Sequence, residues 1–353
     1  MNSKKRHNNR IVLLCSVQNT FVLKDKALLE NQGHQVKLIS SPPYKDPLRF
    51  VWNRIREALL GLFFIPRADA VVSWFNDYHT VIPFFWAECF RKPKLIIVGG
   101  YDAVASPKLS YGLFLKQNTR RKLAQWTYSL ANKIWVVHST LAKGCPVAQK
   151  ETGTTSGLLS WLPKLKDRIQ EVPTAYDASF WKPTGSIREN GILTVASFTD
   201  LRTCIRKGIP EVFSLAKALP EFNFTIAGVQ FALENHFSIP KNVRILGKQN
   251  REELKQLYSI HKFYIQASKI EGLPNVLCEA MLCEAIPLGS SVFGIPDALG
   301  DTGFLFNSST DIDAFRGFLT LENTALGKQA RERIQRQYSL ERREEAFTSF
   351  LNA

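Results

Sequence analysis

The segment SKIEGLPNVLCEAM, residues 268–281, carries two glutamates in an E-x7-E spacing, Glu271 and Glu279. It follows the apolar run Phe263–Gln266, which reads as a strand. Gly272 permits a tight turn, and Leu273 leads into Pro274, whose φ is preset for a first helical position. From Asn275 onward a helix is allowed, so the amides of Asn275, Val276 and Leu277 point out of its N-terminus, an end suited to a phosphate. Glu279 lies roughly 7.5 Å further along the axis at about 1.5 Å per residue, comparable with the span from the distal phosphate of a sugar nucleotide to its ribose. Glu271 precedes the helix and can face a group beyond the phosphate. A phosphate site with a carboxylate on either side suits a nucleoside-diphosphate sugar, whose hydroxyls would donate to charged acceptors. The same spacing fits a plain helix whose acid is stabilised by the dipole, with Val276, Leu277, Ala280, Met281 and Cys283 as core stripe. Spacing alone leaves both readings open.

Cations stand in VASFTDLRTCIRKG, residues 195–208: Arg202, Arg206 and Lys207. Fixed cations stabilise the charge that builds on a departing diphosphate, although a solvated basic loop would look the same. In the first half, VVSWFNDYHT (71–80) and VGGYDA (98–103) each end an apolar run in polar residues. Ligands of open α/β sheets bind beyond the carboxyl ends of strands, which makes Asp77, His79 and Asp102 candidate catalytic or acceptor-binding groups. Gly99 and Gly100 would let backbone approach a ligand. His79 reads equally as a core or capping histidine, and Asp102 as a turn acid.

These residues need elements to position them. Short apolar runs alternate with amphipathic stretches throughout, the pattern of an α/β chain with parallel sheets. Strands are expected at 11–15, 35–39, 70–74, 94–98 and 133–137, then at 191–196, 223–227, 243–246, 263–266, 286–288 and 303–306. Helices are expected at 23–32, 209–218 and 251–259, the last opened by Asn250 as N-cap. KPTGSIREN (182–190) reads as a hinge. The division is an N-terminal domain over 1–180, a C-terminal domain over 181–335, and a final helix over 336–353 that could return to the first domain. In the charged stretch Leu326–Leu351, Arg331, Arg333, Arg336, Arg342 and Arg343 read as a solvated face.

The 353 residues are 45% hydrophobic and 22% charged, which excludes disordered and disulfide-stapled classes. Lys plus Arg number 46 against 31 acids, net +15. All of that excess lies in residues 1–185, while 186–353 balance. The basic half should attract an anionic partner. No helix-turn-helix, zinc or RNP signature accompanies it, so nucleic acid is not the expected one. Six scattered cysteines without C-x-x-C pairs point to a reducing compartment. MNSKKRHNNRIVLLCSV reads as a first buried strand behind a basic start, not a signal peptide. In LRFVWNRIREALLGLFFIPR (48–67), Val51, Ile55, Leu59, Leu62 and Phe63 recur at helical spacing beside Arg49, Arg54, Arg56 and Arg67. Lys116, Arg120, Arg121 and Lys122 form a second basic cluster. This reads either as a helix packed on the sheet or as one lying on an anionic membrane surface. The expected location is the cytoplasm, peripheral on the inner face of the plasma membrane.

EGLPNVLCEAMLCEAIPLGSSVFGIPDALGDTGFLF, from Glu271, resembles the donor-site signature of the retaining GT-B glycosyltransferases, family 4 or "group 1". The likeness covers nearly all of 190–350 and more loosely 10–185. It implies two Rossmann-like βα domains facing across a cleft, the second binding a nucleotide sugar and the first a saccharide or lipid-linked saccharide acceptor. It further implies that Glu271 approaches donor-sugar hydroxyls, that Glu279 holds the ribose, and that Lys207 with Arg202 or Arg206 clamps the diphosphate without a metal or cofactor. Transfer with retention, within cell-surface polysaccharide or glycan biosynthesis, follows from the same resemblance. A sugar-nucleotide epimerase or hydrolase of the same fold is the alternative enzyme, and a basic nucleic-acid-binding protein the alternative of another class. Glu284 stands where the family commonly has Gly, and Thr-Ala-Tyr (174–176) where it has Asn-Gly.

Overall fold

The structure, a computed structural model, describes residues 8–44, 46–307, 311–321 and 325–353. The basic start at 1–7 lies outside the described residues. Strands β1 (Arg10–Cys15), β2 (Gln35–Ser40), β3 (Ala70–Trp74), β4 (Lys94–Val98), β5 (Lys133–Val136) and β6 (Ile169–Glu171) form one parallel sheet in the order β2-β1-β3-β4-β5-β6. Strands β7 (Glu189–Phe198), β8 (Asn223–Val229), β9 (Val243–Leu246), β10 (His261–Gln266), β11 (Ile286–Ser290) and β12 (Phe304–Phe306) form a second, in the order β9-β8-β7-β10-β11-β12. Buried runs such as Ala70–Trp74 and Lys94–Val98 belong to central strands covered on both faces.

Strand order reverses between β1 and β3 in the first sheet and between β7 and β10 in the second. Such switch points open a crevice beyond the carboxyl ends. The two crevices face each other. Gly272, after β10, packs on the end of β4: a Cβ there would lie 2.6 Å from the Gly99 carbonyl oxygen and 2.8 Å from Val137. Only glycine permits this approach.

Helices α1 (Thr20–Asn31), α2 (Pro47–Phe64), α3 (Tyr78–Cys89) and α4 (Thr119–Leu130) cover the first sheet. The chain ends in two helices, α5 (Ala325–Gln337) and α6 (Leu340–Leu351). The second packs on the first domain, with Phe347 4.9 Å from Trp135 between ring centroids and Arg343 2.6 Å from Asp25.

The expectation of a solvated arginine face holds for Arg336 and Arg342, which are exposed, and is overturned for the other three. Arg343 is fully buried, donates to both Asp25 oxygens and to the carbonyls of Val172 and Pro173, and faces the Trp135 ring. Arg331 donates to the carbonyls of Trp181, Ala178 and Leu282, and Arg333 to those of Ala298 and Asp297. Guanidinium groups supply several donors in a fixed fork, which suits them to gather loop carbonyls.

Candidate functional site

The second domain's switch point is built by two loops. After β7, Asp200 caps the short helix Leu201–Arg206 by accepting from the Thr203 amide at 2.9 Å. That helix stops at Lys207, and Gly208 follows at φ +76°, where a Cβ would lie 1.8 Å from the Ala267 carbonyl oxygen. The two loops therefore touch, and Lys207 Nζ meets Glu271 Oε2 at 2.6 Å. Burial raises the Glu271 carboxyl, but Lys207, Arg206 and a Ser268 hydrogen bond together outweigh it, leaving a net lowering. Arg206 also lies 4.6 Å from the centroid of the Tyr111 ring of the first domain. Arg202 takes a different course. It is exposed and reaches the Ser110 carbonyl at 3.4 Å.

Beyond Gly272, Leu273 and Pro274, the helix Asn275–Leu282 starts without a side-chain cap. Its first backbone bond runs from the Cys278 amide to the Pro274 carbonyl, which leaves the amides of Asn275, Val276 and Leu277 outside the ladder. The Asn275 Oδ1 atom is buried without a hydrogen-bond partner. One turn on, Glu279 is 6% exposed and paired with Lys24 Nζ of α1 at 2.8 Å, across the domains. Glu271, Glu279, Arg206, Lys207 and the bare helix end thus converge on one crevice.

The first domain contributes a different wall. The structure does not bring Asp102 into the cleft as a catalytic group. It is fully buried and accepts from the amides of Gly99 at 3.2 Å, Gly100 at 3.1 Å and Asn76 at 3.1 Å. Burial pushes its carboxyl up to about 7 against those amides. Its work is to shape the Gly99–Gly100 turn that Gly272 meets. Nor does His79 reach the cleft. It is buried beneath the end of β3, with Nε2 3.1 Å from the Trp74 carbonyl and 3.3 Å from Ser73 Oγ, and burial lowers its pKa to about 4. A neutral imidazole locked to its own strand end is a packing residue. Asp77 caps α3 and is bound by Arg120 through Nε at 2.7 Å and also through Nη2.

Two cross-domain pairings were not readable from the sequence. Lys24 sits on a helix whose sequence shows nothing unusual; only the fold brings it to Glu279. His138, at the end of β5, holds Asp297 at 2.6 Å and Thr140 at 2.8 Å. A cavity of about 430 Å³ opens beside the site, between Glu151 and Thr152 of the first domain and Pro210, Ser268 and Ser290 of the second. Among the described residues no group of three or more His, Cys, Asp or Glu could hold a metal ion.

The family model of glycosyl transferases group 1 matches residues 202–337, a stretch holding the Arg202–Lys207 segment, Glu271 and Glu279. That segment is similar to the group 1 glycosyltransferases. No curated protein matches it by sequence. Solved structures resemble it over nearly their whole length at low identity. A sucrose-phosphate synthase from Thermosynechococcus elongatus is 14% identical with a TM-score of 0.68, covering 98% of both chains. HepE from Anabaena, in complex with UDP, is 12% identical with a TM-score of 0.68, covering 97% of this chain and 99% of its own. The catalytic domain of starch synthase IV from Arabidopsis thaliana, bound to ADP and acarbose, is 14% identical with a TM-score of 0.70, covering 98% and 99%. The chain therefore has the GT-B fold, and its matched segment contains the residues of the crevice just described.

Proposed function

We propose that this protein is a glycosyltransferase that takes a sugar from a nucleotide-sugar donor and passes it, with retention, to a saccharide or lipid-linked saccharide acceptor in cell-surface polysaccharide or glycan biosynthesis. The observation that carries the donor reading is the juxtaposition of Lys207, Arg206 and an uncapped helix end with the two carboxylates Glu271 and Glu279. Three amides and two cations favour a diphosphate. In this reading Glu279 would take the ribose hydroxyls once Lys24 gives way, and Glu271 would take the sugar. Arg206 rather than Arg202 partners Lys207, because Arg202 turns to Ser110.

In the proposed reaction the bond from anomeric carbon to phosphate oxygen breaks and the acceptor oxygen bonds to the same face of that carbon. The acceptor's hydroxyl proton passes to the leaving diphosphate oxygen. Lys207, Arg206 and the helix amides stabilise the charge that grows there. No cofactor takes part in these steps. Closure of the domains at Gly272 and Gly99 keeps water from the activated sugar. The neighbouring 430 Å³ cavity offers room for an acceptor group. The enzyme would work in the cytoplasm, at the inner face of the membrane.

A thermal-shift panel of UDP-, GDP-, ADP- and dTDP-sugars tests the reading. A ligand that binds the native state alone raises the melting temperature by mass action. One sugar nucleotide should do so and then yield glycosylated product only when acceptor is added. A panel without any shift, or free sugar released equally without acceptor, would defeat it.

A further inference from the structure

Helix α2 is turned inside out. An amphipathic helix ordinarily buries its apolar stripe and shows water its polar one. Here the buried residues are Asn53, Glu57 and Gly61. Asn53 donates to the Pro42 carbonyl, Glu57 pairs with Arg54 at 2.6 Å, and Gly61 receives the Trp86 ring of α3. The outer face carries Leu48, Val51, Trp52, Ile55, Leu59, Leu62 and Phe63, all exposed, with Leu48 at 82%, Trp52 at 65% and Leu59 at 63%. Phe85 of α3, Phe90 just past its end and Trp126 of α4 add exposed rings, on the helix that packs beside α2 and on the next one along. A patch of this kind marks an interaction surface. No helix of the described residues is long and apolar enough to cross a membrane.

Charge identifies the occupant. The helix has one acid, Glu57, and it is buried. Asp46 and Asp69 stand at the two ends, where Asp46 accepts from the Arg49 amide and Asp69 from the Arg10 amide. Arg49 and Arg67 are exposed on the helix flanks. At the far end a cavity of about 370 Å³ is lined by Arg10, Lys37 and Arg67 together with Phe63 and Phe64. Lys37 lies over the Phe64 ring at 4.4 Å and Arg67 over the Phe63 ring at 4.6 Å. A second copy of this basic half would bring like charges together, whereas an anionic lipid surface offers an apolar interior and negative headgroups at once.

We infer that the outer face of Pro47–Phe64 lies in the headgroup–acyl boundary of an anionic bilayer, with Arg10, Lys37 and Arg67 gripping headgroup phosphates at its far end. The helix begins at the carboxyl edge of β2, on the cleft side, and ends at the amino edge of β3. A bilayer along it therefore runs for about 27 Å beside the domain and reaches the rim of the cleft. A lipid-linked acceptor would enter from there. That consequence rests on the function proposed above; the docking itself does not.

Flotation of the full chain with vesicles of phosphatidylglycerol and phosphatidylethanolamine, against phosphatidylcholine alone, tests the inference. The protein should float with the anionic vesicles only, and less as salt rises. Trp52→Ser with Leu59→Ser should cut the bound fraction by about tenfold or more. The melting temperature and the sugar-nucleotide thermal shift should stay unchanged, since both side chains are exposed. Arg49→Glu with Arg67→Glu should abolish the preference for anionic vesicles. Failure of the parent chain to float, undiminished flotation of the serine variant, or a dimer that the serine substitutions dissociate would overturn it. Flotation with no thermal shift from any sugar nucleotide would sink the donor reading and leave this one standing.

Discussion

The two parallel sheets present matching crevices to one cleft but treat the polar groups there in opposite ways. On the first domain's side, Asp102 accepts three backbone amides, and His79 is tied through Nε2 to Ser73 and the Trp74 carbonyl while its Nδ1 is buried without a partner. On the second domain's side, three helix amides and Asn275 Oδ1 have no partner among the described residues, and the ion pairs Lys207–Glu271 and Lys24–Glu279 are only partly withdrawn from solvent. Groups paired within the fold hold a shape, and a helix end with bare amides is open to a ligand. Similar topology thus yields a rigid wall on one side and a receptive surface on the other.

The sharpest way to break that contrast is Lys207→Ala. Losing a fixed cation at the leaving group should lower kcat by about 10²–10³-fold, the scale of an oxyanion-type donor. Circular dichroism should show the fold intact, since the side chain is partly exposed and its removal leaves Glu271 accessible to water. A normal kcat would move the diphosphate clamp elsewhere.

Glu279→Ala comes next. Hydrogen bonds to a charged group contribute about 1.5–3 kcal/mol, so donor affinity by calorimetry should weaken by roughly 10–100-fold. Lys24→Ala should act in the reverse direction, because the ribose would no longer displace an ion pair to reach Glu279. If Lys24→Ala instead weakens the donor, Lys24 binds the nucleotide and is no competitor.

On the wall side the expected effect is on stability alone. The folded Asp102 carboxyl sits at about 7 instead of its ordinary 3.8, so the native state keeps a proton that the unfolded chain has lost between those values. Its contribution is present at low pH and drains away as pH rises from about 4 through 7. His79, lowered from 6.5 to about 4, has the opposite sign and adds stability as pH rises through that window. The two slopes oppose each other. Asp102→Asn should remove the falling one, so denaturant melts of parent minus variant should decline between pH 4 and pH 7. A flat difference would mean the Asp102 carboxylate is ionised throughout.

How much of this was legible depended on how local the cause was. Strands at Ala70–Trp74, Lys94–Val98 and Val243–Leu246 lie where the apolar runs put them, and Asn250 forms the capping box its sequence suggests. Strand Ile169–Glu171 was missed because its three residues carry no apolar run. Glu271, Glu279 and Lys207 gather at the cleft because each follows a strand end at a switch point. Asp102 and His79 also follow or border strand ends, yet position does not reveal whether a polar side chain turns outward or back to its own backbone. Arg343 was misread because its partner, Asp25, is 318 positions away. Helix Pro47–Phe64 showed its two faces in the sequence but not which one pointed inward; Trp86 filling the notch at Gly61 decides that.

One departure from the family pattern offers the smallest test. Glu284 stands where the resemblance implies Gly, and its backbone adopts φ +63°, the left-handed region that costs a residue with a Cβ. The turn is held by the Glu284 amide on the Met281 carbonyl at 2.9 Å and the Ala285 amide on the Ala280 carbonyl at 3.1 Å, so it cannot relax without releasing the end of the helix that carries Glu279. Glu284→Gly should relieve that strain, offset in part by the greater entropy of glycine in the unfolded chain. The net gain should be about 1 kcal/mol, read as a rise of a few degrees in Tm with donor affinity unchanged. If Tm falls, the carboxylate's electrostatic attraction to Arg188 outweighs the backbone cost, and the substitution is a compensated feature of this chain.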